Sequence, residues 1–128
     1  MFIPHKWHNE SEPWETMPAP NGTTFKVGQA LVIDGGSLTK ATGTTKPTHI
    51  CMEDVTTEKE GQKVHVERVR PETVYETELS VASAAIAEGE KYTIDAAGEK
   101  ITATADGVAE VVSFDGTETG DKVRVRFS

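Results

Sequence analysis

The stretch Gly120-Asp121-Lys122-Val123-Arg124-Val125-Arg126-Phe127 alternates apolar and charged residues strictly after a Gly-Asp turn. That period of two is the pattern of a half-buried β-strand, with Val123, Val125 and Phe127 on one face and Lys122, Arg124 and Arg126 on the other. The pattern occurs twice. In Gly61-Gln62-Lys63-Val64-His65-Val66-Glu67, the residues Gly61, Lys63, Val64 and Val66 take the places of Gly120, Lys122, Val123 and Val125.

The repetition extends upstream. Gly28, Leu31, Ile33 and Asp34 recur as Gly89, Tyr92, Ile94 and Asp95. Each set reads as a strand ending in a tight turn, where Asp34-Gly35-Gly36 or Asp95-Ala96-Ala97-Gly98 supplies side-chain capping and positive φ. Further strands are expected near Leu38 and Ile101, at His49–Met52 and Val108–Val112, each followed by an acidic connection and a closing strand. Thr73–Leu79, between the halves, is strand-like. Ser80–Ala87 is alanine-rich but short for a stable helix in water. About eight short strands, with turn signals roughly every 8 to 12 residues, predict an all-β fold, a small barrel or sandwich of two pseudo-repeated units, about 25–70 and 87–128. At 128 residues the chain fits one β domain, assigned to 25–128.

Residues 1–24 differ in composition, holding Pro4, Pro13, Pro18, Pro20, Trp7 and Trp14. Proline removes backbone donors and biases its predecessor to extended conformations, so an extended N-terminal arm is expected. Two tryptophans are too much apolar surface to leave in water. They pack on the chain's own domain or anchor the arm to a partner. Phe2, Trp7, Pro13 and Trp14 are therefore candidate partner contacts.

The search for chemistry is negative. His5 and His8 lie in the arm, His49 and Cys51 are two apart on one strand face, and His65 is on a closing strand, so no zinc spacing occurs. Cys51 reads as a small buried residue and His49 as a surface one. The serines occupy no Gly-x-Ser-x-Gly elbow, and no phosphate-cradling glycine loop is present. The acidic connections lack the ligand alternation of a calcium loop. No catalytic residue, metal or cofactor is expected.

A net charge of −8 opposes nucleic acid as the main partner, which requires a surplus of Lys and Arg. No run of about 18 apolar residues is present to span a bilayer. The start of the chain lacks a secretory pattern, and one cysteine permits no internal disulfide, so assembly in a cytoplasm is expected. Against this acidity, Lys122, Arg124 and Arg126 form a cationic stripe. It either pairs with acidic residues on a neighbouring strand or contacts an acidic partner surface.

The extended proline-containing arm, the two Gly-x-x-Leu/Tyr-x-Ile-Asp units and the Gly-Asp-Lys-Val-Arg-Val-Arg-Phe ending together resemble the head decoration, or cement, proteins of tailed bacteriophages. The resemblance covers about residues 25–128. It implies a non-enzymatic virion protein on the capsid exterior, assembled in the host cytoplasm, whose partner is the major capsid protein. Such proteins clamp adjacent capsomers, often as homotrimers, and their N-terminal arm orders on the shell, which makes Trp7 and Trp14 its candidate anchors. The competing expectation is a receptor- or carbohydrate-binding module of a phage fibre, for which Tyr75, Tyr92 and Phe114 are few groove aromatics.

Overall fold

A computed structural model describes residues 1–6 and 14–127. Its strands are β1 (Ile3–Lys6), β2 (Trp14–Ala19), β3 (Thr24–Phe25), β4 (Ala30–Asp34), β5 (Ser37–Lys40), β6 (His49–Cys51), β7 (Val55–Thr56), β8 (Gln62–Arg68), β9 (Val74–Glu78), β10 (Lys91–Ile94), β11 (Ile101–Ala105), β12 (Ala109–Phe114) and β13 (Lys122–Phe127). No helix occurs among the described residues. Ser80–Ala87 forms turns, because it is held by Ser83 N–H donating to Thr117 O (2.8 Å) and Ile86 N–H to Ser83 O (3.1 Å).

The strands form a five-stranded sheet in the order β2-β8-β6-β4-β5 and a six-stranded sheet in the order β1-β9-β13-β12-β10-β11, with a small third sheet of β3 and β7. Every strand pairing among the described residues is antiparallel, whereas the isolated Leu79–Ile101 bridge is parallel. The architecture is sandwich-like. Neither large sheet closes into a barrel, although the six-stranded one curls until Leu79, just past β9, bridges Ile101 of β11.

The duplication is carried by the registers. Val66 of β8 faces Glu15 and Cys51, as Val125 of β13 faces Tyr75 and Val111. Glu67 faces Ile50 as Arg126 faces Glu110, and Arg68 faces His49 as Phe127 faces Ala109. The loops follow: Gly28 N–H donates to Cys51 O and Gly89 N–H to Val111 O, while Gly61 N–H donates to Ala19 O and Gly120 N–H to Leu79 O. Each unit therefore has five main strands, with β2 matching β9. The repeat extends beyond 25–70 and 87–128 to include both of these.

This changes the place of the N-terminal segment. Over its described residues the stretch set apart as an arm is part of both sheets, β1 as an edge strand on β9 and β2 as an edge strand on β8. Pro18 is tolerated because an edge strand has one row of unpaired amides. The seven residues from Trp7 to Pro13, which join the two strands, lie outside the described residues.

Two cores follow from strand alternation. On one face of the five-stranded sheet Leu31, Cys51, Val64, Val66 and Ala19 gather with Leu38 and with Phe25 from the small sheet. The opposite face sends Ala30 and Ile50 into the second core, with Phe2, Tyr75, Ile94, Val111, Val125 and Phe127. Ile86 plugs this core from the counterpart of the Phe25 segment. Backbone bonds stitch the two units, including Ala30 N–H to Gly98 O (2.6 Å) and the reciprocal pair between Gly43 and Ile94 (2.9 and 3.1 Å).

Candidate partner-binding surfaces

At one end of the five-stranded sheet, β2, β6 and β8 bring Glu15, His49 and Arg68 together. A carboxylate only accepts, so His49 Nε2 donates to Glu15 Oε1 (2.7 Å), and in the neutral ring Nδ1 accepts from the Thr48 hydroxyl (2.8 Å). Arg68 Nε reaches the same Glu15 oxygen at 3.4 Å. His49 is buried, contrary to its expected surface position, because this clip from β2 to β6 passes across β8. Hydroxyl, imidazole and carboxylate are also the groups of a nucleophilic relay. Here Thr48 Oγ1 is engaged by the Ile33 N–H (3.2 Å), and the three groups tie strands together.

Two grooves flank Glu15. The larger, about 650 Å³, runs between the units past Met17, Lys46, Pro47, Val69, Pro71 and the clip. The smaller, about 560 Å³, passes Thr16, Met52, Glu53 and His65. Cys51 is fully buried, and burial pushes its thiol above the ordinary value. No cluster of three or more His, Cys, Asp or Glu with metal-holding geometry exists among the described residues.

On the outer face of the six-stranded sheet each residue of the cationic stripe meets a carboxylate. Lys122 Nζ donates to Glu78 (2.9 Å), Arg124 to Glu76 (3.1 Å) and to both oxygens of Asp115 (2.7 and 3.2 Å), and Arg126 to Glu110 (2.9 Å). The pairing expected from strand neighbours is what the registers produce, since Lys122 lies opposite Glu78 and Arg124 opposite Glu76. The stripe is a compensated ladder.

The hydrogen bond from Lys122 holds the Glu78 carboxyl below its ordinary 4.5, and those from Arg124 hold Asp115 below 3.8. A depressed carboxylate stabilises the fold above its unfolded pKa and loses that contribution as pH falls through the folded one. The melting temperature should therefore fall as pH drops below about 4. In Arg124→Met the part carried by Asp115 should vanish, flattening that limb of a pH-dependent melting curve; an unchanged limb would show that the Arg124 pairs contribute nothing to it.

The other sequence candidates are distributed differently. Phe2 is 1% exposed, with its ring 5.2 Å from that of Phe127 in an edge-to-face contact, so it is spent on the chain's own core. Its backbone N–H donates to Gly28 O, and the terminal amine of Met1 donates to Glu99 O. Trp14 begins β2, opposite Glu67. Trp7 and Pro13 lie outside the described residues. What the sequence reading missed is the Glu15–His49–Arg68 clip, whose only sequence signal is that Arg68 follows the repeat where Phe127 stands.

No protein-family model matches the sequence, and no curated protein matches it. In fold, the chain is similar to the crystal structure of the head fiber gp8.5 N base in bacteriophage phi29, with a TM-score of 0.59 and 17% sequence identity over 90% of this chain and 94% of that one. At this identity the likeness is one of fold.

Proposed function

We propose that the chain is a non-enzymatic structural protein of a tailed-phage virion that docks on the outer surface of the head and stabilises its capsomer lattice. The observation that carries this reading is the fold match, which spans nearly the full length of both chains and involves a protein named as the base of a head fibre. The surfaces suit protein docking: a compensated ladder presents charge without net repulsion, and the inter-unit groove is lined by apolar Met17, Pro47, Val69, Pro71 and Phe127 together with polar Lys46 and the clip. Multivalency across a lattice would let modest single contacts hold. The partner is the major capsid protein, engaged by a homotrimer.

The second reading, a fibre module that binds a receptor or carbohydrate, draws on the fibre in the name of that neighbour. The three aromatics that the sequence offered for such a groove are committed elsewhere. Tyr75 and Tyr92 are buried, 0% and 5% exposed, and Phe114 packs against the second core.

Mixing the folded protein with expanded heads and sedimenting them tests the proposal. Co-sedimentation, together with a higher temperature of head disruption, is the expected result. Folded protein that stays in the supernatant at micromolar concentration would sink the docking reading. Co-sedimentation without any change in head stability would remove the stabilising role.

A further inference from the structure

We propose that copies of this chain join head to tail, the end of the five-stranded sheet that carries Glu15 and Arg68 in one copy seating on the charged outer face of the six-stranded sheet in the next. The contact would repeat, between copies, the packing that already joins the two units within one chain.

Inside the chain, the end of the second unit formed by Tyr75, Ala109 and Phe127 shares a core with Ala30 and Ile50 from the outer face of the first. Tyr75 also lies against the fully buried Glu67 on that face. One surface is thus an end and the other a sheet face. By the matched registers, Glu15, His49 and Arg68 of the first unit stand where Tyr75, Ala109 and Phe127 stand in the second. Lys91, Glu110 and Arg126 of the second unit stand where Ala30, Ile50 and Glu67 stand in the first. Each chain therefore displays one further copy of both halves of its internal interface, and both are charged.

The charges are complementary, and because each already has a partner within the chain, Glu15 with His49 and Arg68, and Arg126 with Glu110, the contact exchanges those pairs for pairs between copies. The internal contact of Tyr75 with Glu67 becomes Glu15 with Arg126 between copies, and Arg68, in the place of Phe127, meets the face that holds Glu110 in the place of Ile50. All four side chains are accessible, at 30% for Glu15, 58% for Arg68, 23% for Glu110 and 44% for Arg126. A contact made of such groups is reversible and weakened by salt. It is also heterologous, so it builds a closed ring where the rotation closes and an open string where it does not. The proposal stands apart from capsid docking, because it needs no head.

The test is sedimentation velocity of the full chain without heads, at low and high salt. The wild type should associate with increasing concentration, less so in high salt. Arg126→Glu and Glu15→Lys should each weaken association about tenfold or more, and the double variant should restore it. Because Glu15 holds His49, Glu15→Lys can fail to fold; Arg68→Glu at an exposed position and Glu110→Lys at a half-buried one, singly and combined, read the same contact without removing the carboxylate that holds His49. A wild type that stays monomeric up to about 1 mM overturns the proposal. So do folded single variants that associate like the wild type, or double variants in both pairs that fail to recover.

Discussion

Phe127→Ala is expected to lower stability by about 3–5 kcal/mol, in the range of large aromatic-to-alanine changes in cores. Phe127 is fully buried where the two units meet, with Phe2 edge-on at 5.2 Å and Tyr75 tilted at 5.6 Å. Removing the ring forfeits the transfer energy, opens a void between rings that cannot all collapse into it, and loosens Phe2, which carries β1. For a domain of this size the melting temperature should fall by roughly 10–20 °C. The matched substitution sharpens the prediction. Arg68 occupies the same register position in the first unit but is mostly exposed, so Arg68→Ala should cost about 1 kcal/mol or less. Thermal melts of the two variants side by side check this; equal losses would mean that the units do not meet through Phe127.

Much of the fold was legible because the repeat is written where burial is strict. Val64, Val66, Val123 and Val125 must face a core on alternate positions, and Gly28, Gly61, Gly89 and Gly120 must adopt positive φ, so these residues changed little between the copies. The strand opening each unit was harder to see. Glu15 and Tyr75 share a register position but face different surroundings, a half-exposed polar clip with His49 and Arg68 in one unit and the other unit's sheet in the second, so their chemistry diverged. The proline content of residues 1–24 pointed to extended backbone and concealed that the described parts of it pair as edge strands. The charged stripe resolved through registers that strand sequence alone does not specify. His49 reads as a surface residue in a polar stretch, and only the meeting of β2 with β6 across β8 buries it against Glu15. The outward surfaces were therefore less legible than the cores, because outside a core the sequence states a residue's charge but not which strand will stand opposite.

The second large effect is expected at Gly107. Any Cβ added there would fall on the backbone of Tyr92 and Thr93, well inside contact distance. The glycine lies where the β11–β12 turn is laid on β10, with its own N–H donating to Lys91 O (3.3 Å) and the Val108 N–H to Tyr92 O (3.2 Å). The obstacle is main chain, which cannot rotate away as a flexible side chain would. Gly107→Ala must push the turn off β10, straining or breaking both bonds and displacing the adjoining Ala109 from the inter-unit core. A cost of about 3 kcal/mol, at the upper end of overpacking penalties, should result, and a fall in melting temperature on the order of 10 °C. Gly35→Ala provides the contrast. Its Cβ would meet nothing within 4 Å, and only the positive φ of 58° opposes it, so about 1 kcal/mol is expected. Since Ala109 and Glu110 are neighbours on β12, the displaced turn should also disturb the pairing of Glu110 with Arg126. Gly107→Ala should then weaken self-association as well as folding, whereas Gly35→Ala should lower the melting temperature slightly and leave association unchanged. If Gly107→Ala melts with the wild type, the close approach of this turn to β10 is wrong.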